Sequence, residues 1–210
     1  EALAAQLGCE RVLAGVVTSS VQLDVPGRIT ITKTGGVGLA TMVSSVAGGP
    51  APDITPVLHQ FASAGFAVRR YQSYRAMKWS KALLNMLGNA TAAILDMPVT
   101  AVYADPRLVR IDVRMFLEGL AVMRHMNITP INLPRYPTAH YAALATTIPT
   151  NILVPLYRAL IARGRGGKPP SLQHAMQQGH RRTEAEFLYG AVAHKAHELR
   201  VAAPITTAVW

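Results

Sequence analysis

The sequence predicts a short α/β stretch followed by an all-helical domain, the change falling near residue 72. Three observations carry this. Up to Tyr71, runs rich in Val and Thr are cut by Gly and Pro pairs, the pattern of short strands. Beyond it, apolar residues recur at helical spacing as far as Leu199. Half of the 210 residues are hydrophobic and 15% are charged, which excludes a disordered or low-complexity chain.

Residues 11–23 (RVLAGVVTSSVQL) read as strand, and Pro26-Gly27 marks a turn. Residues 28–34 (RITITKT) alternate polar and β-branched side chains, which predicts a half-buried strand with one wet face. Gly35-Gly36 turns the chain into a third strand, residues 37–42, and residues 48–52 are a loop. Asp53 starts a helix with Val57, Leu58, Phe61 and Ala64 on its apolar side, and Gly65 stops it. Residues 66–71 (FAVRRY) form a last strand. Nothing in this order reads as a complete βαβ nucleotide unit.

Residues 77–95 predict one long apolar helix. Asp105-Pro106 pairs an acidic N-cap with Pro at the first helical position. The helix that follows, residues 107–126, has Leu108, Ile111, Met115, Leu117 and Leu120 as its apolar face. Further helices span 136–147 and 151–163, a basic loop 163–170 (RGRGGKPP) follows, and helices 171–178 and 183–199 complete the pattern.

Lys plus Arg number 21 against 11 Asp plus Glu, a formal charge of +10. The basic residues are scattered, as on a solvated surface, and allow a weak, salt-sensitive affinity for polyanions. With only 6% aromatic residues, a base-stacking nucleic-acid platform is not expected. A single cysteine, Cys9, excludes an internal disulfide framework and a four-cysteine metal site, and fits a reducing, cytoplasmic location. The longest uncharged run, 138–157, is interrupted by Pro149, Asn151 and Pro155, so no membrane span is expected. No signal peptide is visible. The chain begins EALAAQLG, in the manner of mid-helix sequence, and reads as an N-terminally truncated fragment.

The most informative segment is KWSKALLNMLGNATAAIL, residues 78–95. On one helix Lys81, Asn85 and Asn89 form a slowly drifting stripe at i, i+4 and i+8, its ends about 12 Å apart along the axis. Their neighbours are apolar almost all round, so the stripe is either paired or faces a wet cleft. Asn is a poor choice for an exposed helix position, which weighs against a merely solvated face. One Lys and two Asn supply donors for carboxylates, hydroxyls and carbonyl oxygens.

The second segment is residues 171–192, SLQHAMQQGHRRTEAEFLYGAV. Thr183 and Glu186 have the spacing of a capping box. Glu184 falls at the first helical position, where its charge suits the dipole. Ser171, after two prolines, is an N-cap by spacing, or a hydroxyl beside free helix N–H groups that suit a substrate carboxylate. His194 and His197 lie at i, i+3 with no third ligand placed by spacing, so no metal site is expected.

Taken together, these segments resemble the ketopantoate reductase (2-dehydropantoate 2-reductase) family. WSKALLNMLGNA is similar to its W-x-K-x-x-x-N-x-x-x-N-[PA] helix. PSLQHAMQQGHRRTEAEFLYGAV is similar to its P-S-x-x-x-D-x-x-x-G-R-x-x-[TS]-E-[VI]-x-x-L-N-G-A-V signature, and ERVLAGVVTSSVQLDVPGRI resembles its last Rossmann strands. The resemblance implies the end of an NADP-binding Rossmann domain over residues 1–72. Residues 73–210 would be an all-α substrate and catalytic domain of the 6-phosphogluconate-dehydrogenase C-terminal-like type.

It implies NADPH-dependent reduction of 2-dehydropantoate to pantoate, in pantothenate and coenzyme A biosynthesis. Lys81 matches the catalytic lysine that protonates the ketone oxygen. Asn85 and Asn89 match the asparagines lining the substrate site, Glu184 the glutamate binding the substrate hydroxyl, and Ser171 the serine near the substrate carboxylate.

Ala175 replaces the aspartate of the second signature and Tyr189 its L-N-G asparagine, the latter bearing on substrate identity. The dinucleotide fingerprint is expected upstream of Glu1. Gly36-Val37-Gly38 and Gly164-Arg165-Gly166 lack the strand-then-helix setting it needs, so the fragment alone is expected to be inactive. Two alternatives stand beside this reading: a related 2-oxo acid or hydroxy acid oxidoreductase on the same fold, and a non-catalytic helical dimerisation module. A small 2-oxo acid is the expected partner, a homodimer is allowed, and no specific nucleic acid or membrane partner is expected.

Overall fold

The structure is a computed structural model, described here for residues 2–43, 52–164 and 169–210. It has a small sheet near the start and helices through the rest, an α/β part followed by an all-α one. The chain packs as two compact units. One comprises Glu1–Lys81 with Pro130–Ala139, the other Ala82–Thr129 with His140–Trp210.

In the first unit, helix α1 (Ala2–Leu7) leads to strands β1 (Leu13–Val17), β2 (Ser20–Val25), β3 (Arg28–Lys33) and β4 (Gly36–Thr41). Helix α2 (Thr55–Ser63) and strand β5 (Ala67–Tyr71) follow. The sheet order is β1-β4-β5, with β1 antiparallel and β5 parallel to β4. Thus β4–α2–β5 is a βαβ crossover that the strand pattern did not reveal. Its connection includes residues 44–51, so most of the loop predicted at 48–52 lies outside the described residues.

Both faces of β4 are buried, which explains its unbroken run of small and apolar residues. Val37 and Leu39 pack with Ile54, Val57, Leu58 and Phe61 beneath α2. On the other face Gly38 has no room for a side chain: a Cβ would stand 2.7 Å from the Tyr71 ring and 2.9 Å from Val16.

The β2–β3 hairpin departs from the expected half-buried strand. Every residue of β3 is exposed, including Ile29 and Ile31, so its alternation marks two faces without a buried one. The single strand expected over 11–23 is two strands, β1 and β2, which lie in different sheets. Residues 130–139 return to this unit, where Tyr71 donates to Asn132 O at 2.8 Å and Thr18 Oγ1 to Pro134 O at 2.9 Å.

Helix α3 (Tyr74–Met86) ends two residues before Gly88, and α4 (Ala90–Leu95) starts afresh after it. The single helix expected over 77–95 is therefore broken, with Gly88 at the break in a left-handed φ of 66° that glycine adopts without strain. Helices α5 (Val99–Ala104) and α6 (Pro106–His125) follow, and the Asp105 side chain caps α6 by accepting from Arg107 N.

The buried face of α6 is Val109, Asp112, Val113, Met115, Phe116, Leu120 and Met123, rotated from the expected one. Leu108, Ile111 and Leu117 sit at its margins. This face forms the helical core with α8 (Thr150–Gly164), where Phe116 meets Tyr157 edge-to-face at 5.7 Å. Each large apolar side chain buried there contributes roughly 1.5–3 kcal/mol.

Helices α7 (Thr138–Thr147) and α9 (Ser171–Gln177) precede a π-helical turn, Glu186–Gly190, which runs into α10 (Ala191–Leu199). The expected helix 183–199 is thus α-helical only in its second half. Helix α11 (Pro204–Val209) closes the unit, its first N–H groups held by the Glu118 carboxylate. Residues 165–168 of the basic loop lie outside the described residues.

Candidate active site

The α3–α4 break changes where the polar stripe goes. Lys81 and Asn85 remain one turn apart on α3, both half-buried. Asn89 is not on that helix; it caps the start of α4 and is only 3% exposed. Its amide Nδ2 donates to Glu184 Oε1 at 3.1 Å, and its Oδ1 is buried without a hydrogen-bond partner among the described residues.

Glu184 sits just before the π turn. Its Oε1 also accepts from Ser171 Oγ at 2.5 Å, at the first residue of α9. The helix cap at α9 is Pro170, so Ser171 is not the N-cap its spacing suggested. The capping box also fails: Thr183 Oγ1 accepts from Ala185 N, and Glu186 turns to the Trp210 indole N–H. The π turn puts Glu186 on the Trp210 side, so it cannot reach back to the cap.

Asn89, Ser171 and Glu184 therefore converge from three segments of the helical unit. Their mutual hydrogen bonds, among the described residues, do not run to Asn85. Both donors meet one carboxylate oxygen, which leaves Oε2 of Glu184 as an acceptor for a ligand's O–H or N–H. The charge on Glu184 makes its hydrogen bonds the stronger kind.

Two further groups shape this region. Asp112, fully buried on α6, accepts from Gly88 N at 2.7 Å, Thr91 Oγ1 at 3.0 Å and Tyr103 OH at 2.9 Å. The signal for it is a carboxylate set among Val109, Val113 and Phe116 on an apolar face. Tyr189, at the expected asparagine position, is also fully buried, its hydroxyl on the backbone of Met86 and Ala90. Nearby, Asp96 is held below the usual carboxylate range by hydrogen bonds from Gln173 and Gln177.

In the first unit, Lys78 Nζ donates to Gly15 O at 2.6 Å, and desolvation lowers its pKa. Gly36 and Gly38 lie within β4, where the Cβ positions are filled by Ala67, Pro134, Tyr71 and Val16. They are packing glycines, so the described residues form no strand-to-helix glycine turn for a pyrophosphate. His194 lies 3.8 Å from Glu186 and edge-on to Trp210, and no group of three metal-ligating side chains occurs among the described residues. No described helix is long and apolar enough to cross a membrane.

A small sheet thus leads into a helical part inside which a carboxylate and an asparagine converge. The chain belongs to the ketopantoate reductase PanE/ApbA family, whose C-terminal model matches residues 73–210. By sequence, no curated protein matches it.

Among solved structures it is similar to 2-dehydropantoate 2-reductase from Geobacter metallireducens GS-15, with a TM-score of 0.74 and 19% identity over 99% of this chain and 62% of that one. D-mandelate dehydrogenase in complex with NADH is similar at a TM-score of 0.72 and 16% identity, over 96% of this chain and 60% of that one. A dimeric ketopantoate reductase from Staphylococcus aureus is similar at 0.65 and 14%, over 94% and 58%. The chain thus spans about 60% of the length of these structures.

Proposed function

We propose that this chain is the substrate-holding and proton-donating part of an enzyme that reduces 2-dehydropantoate to pantoate with NADPH. In this reading residues 1–72 end the dinucleotide domain and 73–210 form the substrate domain, a boundary supported by the start of the family match at residue 73. The observation that carries the reading is the meeting of Asn89, Ser171 and Glu184 on one carboxylate oxygen. Such a carboxylate, with its second oxygen left over, suits a substrate hydroxyl.

Lys81 serves as the general acid. A ketone that gains hydride develops negative charge on oxygen, and an ammonium at hydrogen-bond distance stabilises and protonates it. Asn85 completes the polar lining. The protein is proposed to work in the cytoplasm, as a monomer or homodimer.

D-mandelate dehydrogenase shares the fold, which favours a related 2-oxo acid as the second reading. The test is NADPH oxidation by the complete enzyme with 2-dehydropantoate and with a phenyl-substituted 2-oxo acid. The first reading expects the higher kcat/KM with 2-dehydropantoate; a preference for the aryl substrate selects the second; no oxidation with either rejects both.

A further inference from the structure

The break between α3 and α4 exposes backbone groups in the core of the helical unit. A helix end leaves carbonyls and amides without intrahelical partners, and burying them unpaired is costly. Here side chains supply the partners. The Tyr189 hydroxyl donates to Met86 O at 3.3 Å, at the end of α3, and accepts from Ala90 N at 3.0 Å, at the start of α4. From the other side, Asp112 takes Gly88 N, and it also takes Thr91 Oγ1 in the first turn of α4. A single phenol thus spans the break, and Asn89 lies inside the span.

We infer that Tyr189, with Asp112 as its counterpart, is a positioning residue for Asn89: together they fix the α3–α4 junction at the angle that brings the Asn89 amide to Glu184. The inference rests on the reading of Asn89 and Glu184 as substrate groups. The π turn has a part in this. Residues five apart on an α-helix face about 140° from each other. Wider i→i+5 bonding reduces that angle, so Glu184 reaches the Asn89 side chain while Tyr189 reaches Ala90 N. One segment therefore carries both the carboxylate and the pin that holds its asparagine partner. It also assigns Tyr189 a role that does not involve touching substrate: its hydroxyl is committed to backbone.

The test uses Tyr189→Phe, which keeps the ring and removes only the hydroxyl, and Asp112→Asn as a second variant. NMR on the 210-residue chain follows two signals. Amide exchange at Ala90 is expected to quicken tenfold or more in Tyr189→Phe, and at Gly88 in Asp112→Asn, with α6 and α10 amides unchanged. The Asn89 side-chain NH₂ resonances are expected to move toward their positions in Glu184→Gln. Unchanged exchange at Ala90 and Gly88, or Asn89 resonances that stay in place, overturns the inference.

Where the complete enzyme turns over 2-dehydropantoate with NADPH, Tyr189→Phe should raise KM more than it lowers kcat. That effect should shrink in an Asn89→Ala background, whereas a purely structural role would be additive. Failure of the wild type to turn over rejects the functional reading and leaves the NMR result to decide the positioning.

Discussion

Glu184 is fixed by partners far from it in sequence: Ser171 thirteen positions back and Asn89 ninety-five. Spacing alone favours a helix-dipole role for it, and only the family resemblance ties it to Asn89. Glu184→Gln keeps the shape and removes the charge. The expected result is a KM for the 2-oxo acid raised about tenfold or more, the scale of one charge-assisted hydrogen bond, measured by steady-state kinetics of the complete enzyme. Asp112 and Tyr189 were not legible in this way. A lone Asp on a helix and a Tyr in place of an Asn carry no pattern, and their roles depend on which backbone atoms the fold brings to them.

Element boundaries follow the sequence where local chemistry sets them and depart from it where tertiary partners do. The Asp105-Pro106 start of α6 is local. There hydrogen bonds from the Arg107 side chain and backbone hold the Asp105 carboxyl at about 2, below its ordinary 3.8. Its contribution to stability is therefore full above 3.8 and is lost as pH falls through about 2. Asp105→Ala is expected to lower Tm at neutral pH, and the gap to wild type should close toward that acid limit.

The Gly88 break and the π turn are not local. Nothing in KALLNMLGNATAAIL requires the helix to stop, since an isolated Gly is tolerated within a helix; Asp112 and Tyr189 hold it open. A Cβ at Gly88 would meet Tyr103 at 3.0 Å and Val99 at 3.1 Å, at a φ that side chains rarely adopt. Gly88→Ala should cost about 1–3 kcal/mol, read from chemical denaturation of the 210-residue chain.

At the scale of the whole molecule, the α/β-then-helical order was legible because period-two and helical patterns differ so strongly. The βαβ crossover was not, because strand direction is a pairing property that no single strand records. The central claim of the proposed function is that Lys81 donates the proton in the reduction. Its most direct test is steady-state reduction of 2-dehydropantoate by the complete enzyme, wild type beside Lys81→Ala. The predicted result is a kcat lowered by about 10² to 10⁴, the scale of general acid catalysis, with KM far less affected. Near wild-type turnover in Lys81→Ala would contradict it.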